Sequence, residues 1–383
     1  MDTNEEERAK GKTVEVGRAH FASETKRFTI LDAPGHKGYV PNMIQGASQA
    51  DVGILVISAR RGEFETGFER GGQTREHAIL AKTLGVQHLI VVINKMDDPT
   101  VQWDKERFDE CCSKLKPFLK QCGFRPKFDV RFIPISGLTG ANVMNEVDAS
   151  ECSWWRECYT ATPPANFTTS PTLLQQLDAL EVPRDKNGPL RIPVLDRFTD
   201  RGTIIMGKVE SGTIRRGQKV RIMPINREVT ASAVYCDEDP VNRCLPGENV
   251  RIKLNDVTPE EISKGFVICD LERPCSQVTT FRGQVALVDM LEHRPLFTPG
   301  YTCMFHAHCA EETVRCTRIA SVKVRGEDKK QRFARQGNVV SCELQLERSV
   351  CLETYEDMEQ LGRFTLRDEG QTIGIGKLMR IMN

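Results

Sequence analysis

Hydrophobic and polar positions follow two different patterns along this chain of 383 residues. Between residues 28 and 180, short apolar runs alternate with longer amphipathic runs, as in residues 52–58 and then residues 73–84. This alternation is typical of a parallel sheet whose strands are joined by crossover helices. The first half of the chain is therefore predicted to be an α/β domain.

Further elements of this domain follow from the same periodicity and from helix-end signals. A long helix is predicted over residues 104–122 and ends at Gly123, because glycine readily adopts the left-handed conformation of a helix C-terminus. The next strand is predicted over residues 130–135. The pair Ser170-Pro171 suits an N-cap and first turn, and predicts a last helix that extends to residue 180.

Beyond Asn187-Gly188-Pro189, short β-branched runs separated by glycine-containing turns predict antiparallel strands. The predicted strands form two blocks: residues 203–209, 218–222 and 250–254, then residues 284–288, 339–346 and 372–379. We therefore expect an α/β domain at residues 1–187, a first β-barrel at residues 188–277 and a second at residues 278–383.

The composition narrows the class of protein. Basic and acidic residues number 53 each, which argues against a protein that mainly wraps nucleic acid. We expect a protein partner and no DNA, with any RNA contact confined to a local patch. The 14 cysteines are scattered without a C-x-x-C pair, and no apolar run nears 18 residues. Reduced thiols, a cytoplasmic location and no membrane contact are the resulting expectations.

The first candidate for chemistry is the segment Leu-Asp-Ala-Pro-Gly-His at residues 31–36, after an apolar run that predicts a buried strand. Asp32 at the strand end could hold a water on Mg²⁺. Gly35 would let its backbone N–H approach a terminal phosphate. Taken alone, Asp-Ala-Pro-Gly is also a good turn sequence.

The second candidate is Asn94-Lys95-Met96-Asp97, 62 residues after Asp32 and directly after another apolar run. A carboxylate at residue 97 matches the adjacent N1–H and 2-amino donors of guanine, which adenine does not present. The stem of Lys95 can lie along the ring, and Asn94 completes the motif. Because α/β sheets bind ligands at the carboxyl ends of their strands, this position favours a nucleotide site over a chance match.

Weaker candidates lie near these two motifs. Ser136, Gly137 and Leu138 follow the next predicted strand, where their backbone could support the base. The hydroxyl of Thr13 could ligate Mg²⁺, although a surface threonine is the simpler interpretation. His36 could orient an attacking water, although a lone histidine is more often a surface residue.

The two motifs predict a GTPase, but no stretch of the chain matches the phosphate loop G-x-x-x-x-G-K-[ST]. The predicted fold class is therefore an α/β P-loop-type GTPase domain that lacks its first strand, phosphate loop and first helix, followed by two antiparallel β-barrels. Without the amide cradle, we expect the chain to bind GTP weakly.

Cys303, His306, His308 and Cys309 resemble a set of metal ligands. In a continuous strand the two histidines would share one face and the two cysteines would project from the other. An ordinary barrel strand is therefore favoured over a zinc site.

At this point the residues resemble a known family. The chain is similar to the translational GTPases of the elongation-factor-one-alpha class, and within it to the eukaryotic class II peptide-chain release factors, release factor three. The similarity is carried by the sequence motifs at residues 62–69, 71–77, 96–103, 351–354 and 362–370. The Asp-Pro-Thr-Val segment after the guanine motif, within residues 98–101, is typical of the release factors.

The resemblance implies GTP and Mg²⁺ as ligands and a role for each candidate residue. It implies that His36 is catalytic, that Thr13 and Asp32 serve the metal, and that the remaining candidates bind the nucleotide: Asp32, Gly35, Asn94, Lys95, Asp97, Ser136, Gly137 and Leu138. It also implies that the barrels dock a class I release factor, and that the chain is a monomer that forms a heterodimer with that factor on the ribosome. Two features depart from the family pattern, namely the missing phosphate loop and a long segment at residues 158–169.

Three functions stay open at this level. The first is a GTPase that couples GTP hydrolysis on the ribosome to stop-codon-dependent peptide release. A ribosome-rescue GTPase would share the chemistry and differ in its partner. A non-enzymatic binding module would keep the barrels and the partner without hydrolysis.

Overall fold

The computed structural model describes residues 17–33, 50–68, 73–83, 85–86, 88–160, 170–200, 202–236, 239–324 and 327–382. The chain divides into two compact units, Met1–Val182 and Pro183–Asn383. The domain boundaries expected at residues 188 and 278 stay predictions.

The first unit contains five strands and five helices among its described residues. The strands are β1 (Gly17–Ala22), β2 (Arg27–Asp32), β3 (Val52–Ser58), β4 (His88–Asn94) and β5 (Val130–Pro134). The helices are α1 (Glu63–Phe68), α2 (Gln73–Thr83), α3 (Lys105–Gln121), α4 (Ser153–Thr160) and α5 (Leu173–Ala179).

Strands β3, β4 and β5 form a parallel sheet with β4 in the centre. The first six residues of β4 are buried, and the buried face of α3 packs into the same core. The predicted helices over residues 73–84 and 104–122 are confirmed to within one residue at each end. Asp104 caps α3 by accepting hydrogen bonds from two backbone N–H groups of its first turn, at 3.2 and 3.1 Å.

Two local predictions in this unit were wrong, namely the cap of the last helix and the burial of the strand before Asp32. The last helix is capped by Thr172, whose Oγ1 accepts from the backbone N–H of Gln175, and not by Ser170. The strand before Asp32 is not buried. Within the described residues, β2 pairs with β1 in a separate two-stranded antiparallel sheet. In β3, Ile54 and Val56 are 45% and 59% exposed because no described residues cover that face.

The second unit is composed mainly of antiparallel strands. The first barrel contains β6 (Arg191–Thr199), β7 (Thr203–Lys208), β8 (Ile214–Arg215), β9 (Lys219–Met223), β10 (Arg227–Cys236), β11 (Asp239–Val241), β12 (Arg243–Cys244), β13 (Asn249–Leu254) and β14 (Val267–Cys269). The second contains β15 (Ser276–Leu287), β16 (Thr302–Ala307), β17 (Ala310–Val324), β18 (Glu327–Lys329), β19 (Val339–Leu352), helix α6 (Glu359–Gly362), β20 (Arg363–Asp368) and β21 (Gln371–Ile381).

Each block closes into a six-stranded antiparallel barrel, as the sequence predicts. The first ring runs β10-β13-β7-β6-β14-β9 and closes through the β9–β10 pairing, with β11 added at β10. The second ring runs β16-β20-β21-β15-β19-β17 and closes through β16–β17, with β18 added at β17. Closure leaves these ring strands paired on both sides.

A buried ion pair joins the two barrels. Arg191 on β6 donates from Nε to Glu353 Oε1 at 2.6 Å, and its Nη1 donates to the carbonyl of Arg273 at 2.8 Å. Around it lies a small apolar cluster drawn from both barrels: Met223, Val267, Cys269, Cys275, Cys351, Met358 and Leu361. The barrels are therefore packed against each other through a shared interior.

The predicted barrel strand over the four metal-like residues is confirmed only up to Ala307. Ala307 pairs with Ala310, so His308 and Cys309 form the two-residue turn between β16 and β17. His308 is buried with its Nε2 2.9 Å from the carbonyl oxygen of Cys351, and burial lowers the pKa of His308 to about 4. None of the helices in the described ranges has the length and apolar character that a membrane crossing requires.

Candidate functional site

The side chain of Asn94, at the end of β4, connects two of the predicted nucleotide-binding loops. Its Oδ1 accepts a hydrogen bond from the backbone N–H of Gly137 at 2.8 Å and another from the N–H of Lys95 at 2.7 Å. The loop after β4 is thus fixed beside the loop after β5. Asn94, Lys95, Ser136 and Gly137 are brought together as expected.

Lys95 adopts a positive φ of 63°, which turns the chain sharply after the strand. Its Nζ lies 2.7 Å from Oε2 of Glu63, at the start of α1. Ser58 also donates to that carboxylate oxygen at 2.7 Å. The hydrogen bond from Lys95, followed by that from Ser58, lowers the pKa of Glu63 to about 2. The ammonium group of Lys95 is therefore held by a carboxylate on the neighbouring helix.

Asp97 is half-buried and lies on the wall of a cavity of about 370 Å³. Trp103, Thr139 and Glu146 are among the other residues that line this cavity. A carboxylate that faces open volume beside two loops is available to bind a small molecule.

The segment between Asp98 and Trp103 is a compact loop that folds back onto the Asn94–Asp97 motif. Asp98 is buried and accepts from both the backbone N–H and the hydroxyl of Thr100, at 2.9 and 2.6 Å, and from Nε of Arg60. These hydrogen bonds, those of Thr100 first, lower the pKa of Asp98 to about 2. The N–H of Trp103 donates to the carbonyl of Met96 at 2.8 Å. The loop thereby supports the backbone of residues 94–97.

The three residues of the second loop, residues 136–138, differ in their burial and in their contacts. Ser136 is fully buried and its Oγ accepts from the N–H of Thr139 at 3.1 Å. A Cβ on Gly137 would lie only 3.2 Å from Nδ2 of Asn94, so the close approach of the two loops favours glycine there. Leu138 is 90% exposed.

Asn142 is a positioning residue that the sequence reasoning missed. It is fully buried with φ of 59°, and its side chain donates to the carbonyl of Pro134 at 2.9 Å and accepts from the N–H of Val147 at 2.7 Å. These bonds fix the chain that follows the 136–138 loop. An asparagine is one of the few residues that tolerate this backbone conformation, which was the available signal.

Arg107 on α3 was missed as well. It is 4% exposed, and its guanidinium donates to the carbonyl of Ala59 at 2.8 Å and to carboxylates of Glu65 and Glu110 at 3.1 and 2.7 Å. The loop after β3 is therefore anchored to α3. A lone arginine within an amphipathic helix gives no such signal in the sequence.

The phosphate and metal candidates are mostly outside the described residues. Thr13, Gly35 and His36 lie there, as do residues 161–169 of the long segment. Asp32 is described. It ends β2 opposite Gly17, in the two-stranded sheet and not in the sheet that carries Asn94.

Three protein families match the chain. The Elongation factor Tu GTP binding domain matches residues 1–183, Elongation factor Tu domain 2 matches residues 202–269, and the GTP-eEF1A C-terminal domain-like family matches residues 281–379. Their order agrees with an α/β unit followed by two barrels.

Full-length similarity extends to curated proteins named Eukaryotic peptide chain release factor GTP-binding subunit. The relative from Kluyveromyces lactis is 48% identical and that from Schizosaccharomyces pombe is 44% identical, each over 100% of this chain. The matches cover 53% and 56% of those relatives, so the chain spans about half the length of the curated relatives it matches.

Solved structures show the same architecture. The structure of sup35 complexed with GMPPNP is 39% identical, with a TM-score of 0.50, and the match covers 96% of this chain and 84% of that one. The bacterial selenocysteine-specific elongation factor EF-Sec is 20% identical with a TM-score of 0.68, over 98% of this chain and 53% of that one, and shares the fold.

Proposed function

The chain belongs to the family of eukaryotic peptide chain release factor GTP-binding subunits, and from that premise we propose that it acts in translation termination as a GTPase. The observation that carries the proposal is the 2.8 Å hydrogen bond from the Gly137 N–H to Asn94 Oδ1. It fixes two loops side by side at the carboxyl ends of neighbouring parallel strands, where such sheets bind nucleotides.

In this proposal the guanine base is bound by the two loops. Asp97 accepts hydrogen bonds from N1–H and the 2-amino group of the base, and the stem of Lys95 packs along the ring. The backbone of residues 136–138 supports the opposite edge. Glu63 holds the Lys95 ammonium at 2.7 Å, which keeps the stem in one orientation before the base arrives.

In the same proposal, the remaining candidate residues bind the phosphates and Mg²⁺ and position the attacking water. Asp32 is half-buried at the end of β2, where its carboxylate would hold a water on Mg²⁺. The hydroxyl of Thr13 would supply a hard oxygen ligand of the kind that Mg²⁺ prefers. When bound, Mg²⁺ would neutralise charge on the phosphate oxygens. The N–H of Gly35 would contact the γ-phosphate, and His36 would orient the attacking water.

Nucleotide affinity of the 383-residue chain itself should be low. The sequence has no amide cradle or lysine for the β- and γ-phosphates, and their loss should weaken binding by several kcal/mol, on the order of a thousandfold. Isothermal titration calorimetry with GTP measures this directly. Micromolar affinity would show that the chain binds the nucleotide well without the cradle and would contradict this expectation.

Base recognition is tested by Asp97→Asn in a chimera that adds a phosphate loop, with its strand and helix, ahead of Met1. Each hydrogen bond to the carboxylate contributes about 1.5–3 kcal/mol, so GTP affinity should fall and xanthosine triphosphate, whose 2-oxo group suits an amide donor, should bind better. Glu106→Gln is the matched control, since it changes an exposed carboxylate on α3 that belongs to neither of the two loops. Unchanged GTP affinity in Asp97→Asn would reject this assignment.

A binding module without hydrolysis is the second candidate, because the sequence lacks a phosphate loop while both barrels close completely. We infer that the barrels dock a class I release factor as a heterodimer partner. The chain should capture that factor without nucleotide. Preference for a ribosome-rescue partner in direct competition would favour the rescue alternative.

In the chimera, His36→Ala should preserve docking and slow ribosome-stimulated hydrolysis about a hundredfold.

A further inference from the structure

Three side chains of the first barrel converge in a way that the proposed GTPase activity does not use. The Sγ atoms of Cys236 and Cys244 and a carboxylate oxygen of Glu248 all lie within 4.8 Å of one another. Cys236 ends β10, Cys244 ends β12, and Glu248 directly precedes β13. We propose that these three residues form a zinc-binding site.

The donor atoms favour zinc over other cations. Thiolates bind Zn²⁺ and Cu⁺, whereas Mg²⁺ and Ca²⁺ take oxygen ligands only. The carboxylate adds a harder donor that Zn²⁺ accepts readily. With Zn–S of about 2.3 Å and Zn–O of about 2.1 Å, tetrahedral ligand atoms are separated by about 3.5–3.8 Å. The observed separations, 4.8 Å at most, need to contract by up to about 1.3 Å, and a water would complete the tetrahedron.

The backbone around Glu248 already orients its carboxylate. Its Oε2 accepts from the N–H of Leu245, next to Cys244, at 2.7 Å. The same loop is anchored to the barrel because Gly247 N–H donates to the carbonyl of Val209 at 2.6 Å. Hydrogen bonds of this kind, made to a ligand by its surroundings, hold the ligands of established metal sites in place.

The three side chains of the proposed zinc site differ in their exposure to solvent. Cys244 is fully buried, Cys236 is 7% exposed, and Glu248 is half-buried. An ion would therefore enter past the carboxylate and reach the thiols behind it. Each thiol loses its proton on binding, so uptake of one Zn²⁺ should release two protons and strengthen as the pH rises.

Ordinary packing of cysteine in a core is the simpler alternative, and the second barrel offers a matched example. Cys303 is also 7% exposed and lies in an apolar core, but among the residues that the structure describes it belongs to no comparable group of three ligands. Cys303→Ser therefore controls for the loss of a buried thiol. It also tests the cluster of residues 303–309 that the sequence suggested.

The experiment titrates the whole, reduced, metal-free chain with Zn²⁺ alone and with Co²⁺ alone, without nucleotide. We expect one metal per chain by calorimetry and a thiolate-to-cobalt charge-transfer band. Cys236→Ser should weaken Zn²⁺ binding at least about a hundredfold and Glu248→Gln about tenfold. Cys303→Ser should bind as the unmodified chain does.

Several outcomes overturn the proposal: no stoichiometric Zn²⁺ binding, a cobalt spectrum without the thiolate band, or binding that survives in both Cys236→Ser and Glu248→Gln. Equal loss in Cys303→Ser also overturns it. Should a cysteine variant fail to fold, the half-buried Glu248→Gln variant decides the question. Because the titration contains no nucleotide, its result is independent of the GTPase proposal.

Discussion

Single buried polar side chains hold the candidate site together. Asn142 illustrates this, since its amide bonds both Pro134 and Val147 from a fully buried position. Asn142→Ala leaves a buried acceptor and a buried donor unpaired and places alanine at a positive φ. The free energy of unfolding of the first unit should fall by about 2–4 kcal/mol.

Urea unfolding followed by tryptophan fluorescence measures this effect, because all three tryptophans, Trp103, Trp154 and Trp155, lie in the first unit. Asn145→Ala is the matched control. Asn145 is exposed, so its replacement should change the free energy of unfolding by less than about 0.5 kcal/mol. Equal effects in the two variants would contradict the positioning role of Asn142.

Asp98 should make the stability of the first unit depend on pH. Its pKa is about 2 in the folded chain and about 3.9 in an unfolded one, so the unfolded state binds more protons between these values. The contribution is fully present above about pH 5 and is lost as the pH falls towards 2. The drop in urea midpoint between pH 6 and pH 3 should be smaller in Asp98→Asn. An unchanged drop would show that Asp98 is not responsible.

At the same scale, the sequence predicted where the candidate residues Asn94 and Asp97 lie better than it predicted the residues that support them. Asn94 and Asp97 belong to a short motif with fixed spacing, so their neighbourhood could be inferred. Asn142 and Arg107 act through tertiary contacts with distant backbone carbonyls, at Pro134 and Ala59. Such partners are set by folding, so the identity of the residue at 142 or 107 does not show which carbonyl it will contact.

Among the elements, α3 depends on its N-terminal cap. Asp104 accepts from the N–H groups of Glu106 and Arg107, so Asp104→Ala should lower the free energy of unfolding of the first unit by about 1 kcal/mol. Asp104→Ser keeps an acceptor and should retain most of the stability. Both are read from the fluorescence midpoint in urea. Equal losses in the two variants would show that capping is not the cause.

Element prediction succeeded where one periodicity covered a whole segment. The helices over residues 73–83 and 105–121 and the closed barrels follow from helical spacing and from β-branched runs. It failed for β2, whose apolar run predicted burial. Apolar content shows that a strand can be buried, but the neighbours that would cover it are set by the rest of the fold.

For the whole molecule, the two units should differ in stability. The second unit has two closed barrels, whereas the described part of the first has a three-stranded sheet with Ile54 and Val56 exposed. Tryptophan fluorescence should therefore report unfolding at a lower urea concentration than far-ultraviolet circular dichroism of the strands. Coincident transitions, or the reverse order, would contradict this expectation.

The ion pair between the barrels also affects when the two barrels can dock during synthesis of the chain. Arg191 precedes Glu353 by 162 residues. At about 5–20 residues per second, a ribosome needs roughly 8–30 s to synthesise the intervening chain. Throughout that interval Glu353 has not yet been synthesised, so the guanidinium of Arg191 lacks its carboxylate partner. Burying the guanidinium alone would be costly, because it would lose its hydration. We therefore expect the first barrel to keep this surface hydrated while the nascent chain grows, so that the barrels dock late in biosynthesis.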